Sequence, residues 1–88
     1  NLRKASNISF IKQIIKKIKK LLKKRKSSIS FNKHQKTFNL YLERRTNSEL
    51  IIKVEDESDK TLYRNKFTMK KINSDFVNDI KNKNIRIF

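Results

Sequence analysis

The hydrophobic period of this chain changes once, and that change divides it into a helical part and a sheet. From Ile8 to Leu22 the apolar residues recur at helical spacing, and after Ser27-Ser28 they alternate with polar ones. At the helical angle per residue, Ile8, Phe10, Ile11, Ile14, Ile15, Ile18, Leu21 and Leu22 share an arc of roughly 160°. Lys12, Lys16, Lys17, Lys19, Lys20, Lys23 and Lys24 fill the remaining arc. The pattern predicts a long amphipathic basic helix over residues 8–26. Ser6, Asn7 or Ser9 could supply its N-cap oxygen. The basic end Lys23-Lys24-Arg25-Lys26 suits the negative pole of the helix dipole.

Four strands are expected downstream. Ile29 and Phe31 alternate with Ser30 and Asn32, and Phe38, Leu40 and Leu42 with Asn39 and Tyr41. The polar stretch 32–36 between them reads as a hairpin turn. Leu50, Ile52 and Val54 mark a third strand, and 61–69 a fourth after the acidic turn 55–60. The chain has no Gly, so Asn and Asp are expected to take the left-handed turn positions. Short connections favour an antiparallel meander. The tail reads as a short helix over 75–81, capped by Ser74. Ile85, Ile87 and Phe88 then alternate with polar residues and could add a last strand. The expected fold is α+β: the long helix on a small four-stranded meander, then a short C-terminal helix. One domain spans 1–88, with the basic helix in 1–26, the sheet in 27–70 and the helix and tail strand in 71–88.

Charge is the second constraint. The 88 residues carry 24 Lys or Arg against 8 Asp or Glu, a formal net charge of +16. Asn, Ile and Lys are inflated at 10, 12 and 18 residues while Gly, Pro and Trp are absent, the signature of an AT-rich genome. Codon drift should act on the whole chain, yet the charges divide unevenly. Residues 1–42 hold 13 basic side chains and no acid, whereas 43–88 hold 11 basic and 8 acidic. Selection for a positive leading half accounts for the asymmetry.

The missing residue types exclude several chemistries. With no Cys there is no disulfide, no thiolate zinc site and no Cys nucleophile. With no Gly there is no phosphate loop, dinucleotide fingerprint or KH-type loop. His34 is the only histidine and falls in a polar turn, where a surface role is the ordinary one. Glu55, Asp56, Glu57 and Asp59 lack the Gly and terminal Glu of a calcium loop and read as a solvated turn. No apolar run exceeds three residues, as at Leu50-Ile51-Ile52, so no spanning segment or secretory core is expected. A start at Asn1 is what a cleaved organellar presequence, or a fragment, would leave. No enzyme, cofactor, metal or small-molecule substrate is expected.

A carboxylate-free basic surface suits a polyanion, because ammonium groups neutralise phosphates and release condensed counterions. The expected contacts are Lys12, Lys16, Lys19, Lys20, Lys23, Lys24, Arg25 and Lys26, with Arg44 and Arg45 as a second patch. Tyr41 lies opposite in phase to Phe38, Leu40 and Leu42, and is expected to face outward beside Arg44 and Arg45, open to base stacking. The expected function is structural RNA binding, as a small ribosomal protein holding rRNA beside neighbouring proteins of a large ribonucleoprotein. Its location would be intracellular, on a mitochondrial, other organellar or cytoplasmic ribosome. The rivals are a DNA-binding accessory protein of a virus or mobile element, a subunit of an organellar membrane complex lying on lipid, and a protein–protein adaptor.

Overall fold

The computed structural model describes residues 2–83, with side chains from residue 10 onward. Helix α1 (Leu2–Leu21) leads into β1 (Lys26–Lys33), β2 (Lys36–Arg44), β3 (Glu49–Glu55) and β4 (Thr61–Thr68). A three-residue 3₁₀ turn (Met69–Lys71) then opens helix α2 (Ile72–Lys83). The sheet is an antiparallel meander in the order β1-β2-β3-β4. This is the α+β order that the change of period predicts. The candidate strand at Ile85, Ile87 and Phe88 lies outside the described residues.

Strand register decides which side chains meet. Ile29 pairs with Leu40 and Phe31 with Phe38 across β1 and β2. Leu40 meets Val54, and Leu42 meets Ile52, across β2 and β3. These residues share one face of the sheet, and both helices cover it. Ile11, Ile14 and Ile18 of α1 join that core, as do Ile72, Phe76 and Ile80 of α2. Phe10 packs edge-on against Phe31 with ring centroids 5.5 Å apart. Phe76 meets Phe67 at 5.8 Å and Tyr63 at 6.2 Å. Among the described residues the opposite face of the sheet carries no helix, because its alternate positions are mostly polar or charged, with Tyr41 and the buried Ile51 as exceptions.

Several boundaries differ from the periodicity reading. Helix α1 begins at Leu2, so Ser6, Asn7 and Ser9 lie inside it and none is its N-cap. Leu2, Arg3, Lys4 and Ala5 are good helix formers and carry the helix upstream of its apolar stripe. At the other end α1 stops at Leu21, short of the expected residue 26. The Lys24 amide donates to the Leu21 carbonyl at 3.1 Å and the Arg44 amide to the Arg25 carbonyl at 2.8 Å. The strand pairing thus captures the chain before another helical turn forms. Helix α2 starts at Ile72, and Ser74 lies within it, its hydroxyl donating back to the Lys71 carbonyl at 3.4 Å. The 3₁₀ turn nucleates the helix earlier than a Ser74 cap would.

The turns solve the absence of glycine in different ways. Asp59 takes a left-handed conformation (φ 62°), as expected of Asp, and the Asp56 carboxylate accepts the Ser58 and Lys60 amides at 2.8 and 3.0 Å. The β1–β2 hairpin instead places His34 and Gln35 at φ 55° and 64°. Two positive φ values in a two-residue loop match the right-handed twist of the strands. Each costs a residue with a Cβ roughly 1–2 kcal/mol. Replacing the pair together (H34N with Q35G) is therefore expected to stabilise the domain by about 1–2 kcal/mol in urea unfolding, after allowing for the looser unfolded chain.

A polar cluster fixes α2 to β4. Asn65 occupies an inward position opposite Ile52. Its amide donates to Asp79 Oδ2 at 3.0 Å, the same oxygen to which the Tyr63 hydroxyl donates. Lys83 pairs with Asp79 Oδ1 at 3.2 Å. Burial pushes the Asp79 carboxyl up, but the hydrogen bonds from Tyr63, Asn65 and Lys83 outweigh it and leave it below its ordinary value. Burial and the bond to Asp79 raise the Tyr63 phenol well above its usual range. A depressed carboxyl contributes stability that is present above its unfolded pKa and lost as pH falls through the folded one. Acid unfolding should accordingly show a loss below about pH 4 that Asp79→Asn abolishes while leaving the rest of the acid transition in place.

Candidate nucleic-acid interface

Position along α1 separates its side chains by burial. Ile11, Ile14 and Ile18 are buried, while Lys12, Lys16, Lys17, Lys19 and Lys20 are exposed. Lys19 and Lys20 lie in the last turn, where the helix dipole favours cations. Lys23, Lys24, Arg25 and Lys26 follow, all exposed. The ion pairs among the described residues use Lys53, Lys66 and Lys83, with a long fourth contact through Arg45. No cation from Lys12 to Lys26 forms one. This stretch therefore presents positive charge with no internal carboxylate to offset it.

The fold brings the end of the first expected basic patch, Lys23 and Arg25, beside the second. Where α1 ends, Lys23 and Arg25 face the β2–β3 turn across a cleft of about 280 Å³ that Arg44, Arg45, Thr46 and Asn47 complete. No carboxylate lines it. Arg44 holds the wall together. Its guanidinium donates to the Leu22 carbonyl at 3.2 Å, the Thr46 carbonyl at 3.4 Å and Asn47 Oδ1 at 3.4 Å. Three donor groups of its fork are thus committed to the chain, and Arg44 positions the cleft more than it offers free donors. Thr46 shapes the same turn, its hydroxyl accepting the Ser48 and Glu49 amides at 3.2 and 3.1 Å. Arg45 extends past the strand, more than half exposed. Its nearest carboxylate contact is Glu43 Oε1 at 4.0 Å, too long and too solvated to hold it.

Lys26 departs from this group. It opens β1 in register with Glu43, on the face of the sheet away from the helices. Tyr41 faces outward on the same side, as its phase predicts, but its neighbours differ from those expected. Arg44 shares the inward parity of Leu40 and Leu42, so Tyr41 pairs with Lys53 instead, and Arg64 stands one strand further on. The Lys53 ammonium lies 5.3 Å from the Tyr41 ring centroid, and both residues line a cleft of about 360 Å³ with Arg64. Sequence reasoning missed Lys53, Arg64 and Lys66. Carrying the alternation of 41 and 43 across to 51, 53 and 55, and then to 64 and 66, would have found them.

The other candidate groups have structural partners or none of the chemistry of a site. His34 is exposed at the hairpin tip. Glu57 accepts the Thr37 amide at 2.8 Å. Among the described residues no three His, Cys, Asp or Glu side chains cluster closely enough to hold a metal ion. No described helix is long and apolar enough to cross a membrane. Comparison of the chain with protein-family models, with curated proteins and with solved structures finds no significant match.

Proposed function

We propose that this protein is a structural RNA-binding protein, a small component of a ribosome whose basic amphipathic N-terminal helix and adjoining cleft lie along rRNA phosphates. The observation that carries this reading is the run from Lys12 to Arg25, exposed, carboxylate-free and without ion pairs among the described residues. Lysine ammonium groups are compact point charges on flexible stems, suited to screening many phosphates without reading bases. Arg25 and Arg45 add planar forks that can hold a phosphate by two bonds. Like charges spaced three and four residues apart on α1 repel one another in the free protein, and a polyanion removes that cost. The AT-rich codon signature favours an organellar or low-GC ribosome, where neighbouring proteins would flank the sheet.

A lipid surface is the weaker reading, because the stripe that would enter the bilayer, Ile11, Ile14 and Ile18, is packed against the sheet. The test is the composition of the native assembly. Isolated through this chain, it should contain rRNA, and in competition the purified protein should prefer folded RNA to duplex DNA. An assembly free of RNA, or preference for duplex DNA, overturns the proposal.

A further inference from the structure

The open face of the sheet continues the basic cleft. The cleft at the end of α1 shares Arg45 and Thr46 with a second of about 540 Å³ that also holds Arg64 and Lys66. The second shares Ile51 and Arg64 with the cleft that holds Tyr41 and Lys53. The three form one track, from the helix end around the β2–β3 turn and across the strands to an aromatic ring. We infer that a single-stranded segment of the bound RNA follows this track and stacks a base on Tyr41.

The charge along the track favours a polyanion. Of its two carboxylates, Glu49 is matched in place by Lys66 at 3.1 Å, while Glu43 has only the long, solvated contact with Arg45 at 4.0 Å and is outnumbered by the cations around it. Glu55 beside it is matched by Lys53 at 3.1 Å. The side chains of Arg64 and Lys26 are left over, with no side-chain hydrogen bond or ion pair among the described residues. Arg64 stands in register with Lys53, and Lys53 with Tyr41, so guanidinium, ammonium and phenol form one row across β4, β3 and β2.

The aromatic ring selects the strandedness. A duplex buries the faces of its bases, whereas an unpaired nucleotide offers a base to the ring and a phosphate to the neighbouring cations. The ammonium of Lys53 covers Tyr41 in the free protein. A stacking base takes that place and leaves Lys53 beside the phosphate it brings. Ser28, cross-strand from Tyr41 and exposed, puts a hydroxyl at the edge of the same site.

The inference rests on the RNA reading above, and the experiment keeps the two apart. Affinity is measured for a blunt RNA hairpin and for the same hairpin with a short single-stranded overhang containing 2-aminopurine. The overhang should tighten binding, with quenched 2-aminopurine fluorescence. Tyr41→Ala should remove roughly 5- to 150-fold of affinity for the overhang substrate only. Tyr41→Phe should keep both affinities, and Arg64→Gln should weaken the overhang substrate selectively. Equal affinity of the wild-type protein for the two hairpins, or an overhang gain that survives Tyr41→Ala, overturns the inference while the RNA reading stands. Salt-independent or absent binding to both hairpins overturns the two together.

Discussion

A variant with Lys12, Lys16, Lys19 and Lys20 all replaced by Gln should bind structured RNA with a salt dependence shallower by about four in log–log slope. The wild-type protein, engaging about six to ten phosphates, should lose roughly 10³- to 10⁵-fold in affinity between about 50 and 200 mM salt. With four contacts gone, the same interval should cost roughly 10- to 10³-fold, from a weaker starting affinity. Gln matches Lys closely in helix propensity, and all four side chains are exposed, so α1 should persist. Relief of the repulsions between Lys12 and Lys16, and between Lys16 and Lys20, should leave thermal stability equal or slightly higher, by about 0.2–0.5 kcal/mol per pair. Binding and stability therefore move in opposite directions, which a variant that merely unfolded could not reproduce. A flat salt response of the wild-type protein would remove the electrostatic reading altogether.

The second large effect is on the fold. Phe76 is fully buried where α2 meets the sheet, between the rings of Tyr63 and Phe67. Phe76→Ala should cost about 3–5 kcal/mol, from lost transfer energy and the cavity left between α2 and β4. That is a large fraction of what a domain of this size has to spare. Urea unfolding should show the midpoint move to much lower denaturant, to the edge of folding in buffer. Phe76→Leu, which refills most of the volume, should recover the greater part. If the alanine variant unfolds at the wild-type midpoint, α2 does not close the core as described. RNA at a concentration well above its Kd should raise the stability of both proteins by an amount that grows with the logarithm of its affinity for the folded state, linking the two predictions through one equilibrium.

How much of the site was legible follows from the range of each interaction. The burial of Ile11, Ile14 and Ile18, and the exposure of Lys12, Lys16, Lys19 and Lys20, were readable from spacing, because helical geometry repeats locally whatever lies outside. The outward orientation of Tyr41 was readable for the same reason, from the parity of its strand. Its neighbours were not. Lys53 and Arg64 reach Tyr41 only through the register of β2 with β3 and of β3 with β4. The hairpin was visible as a polar stretch, but the choice of His34 and Gln35 for the positive φ positions was not. Register leaves two residues between Lys33 and Lys36, and the turn takes whichever residues stand there.

Periodicity and charge along the chain thus settled the kinds and order of the described elements, the inward-facing residues of the first three strands, and the absence of carboxylates before Glu43. Each of these depends on residues a few positions apart, where covalent geometry fixes the direction of every side chain. Packing alone decided that α1 stops at Leu21, that Arg44 grips the Leu22 carbonyl 22 residues away in sequence, and that Lys23 and Arg25 share a cleft with Arg45. Those contacts form only once the strands have paired and the helix has settled on them, so no local pattern encodes them.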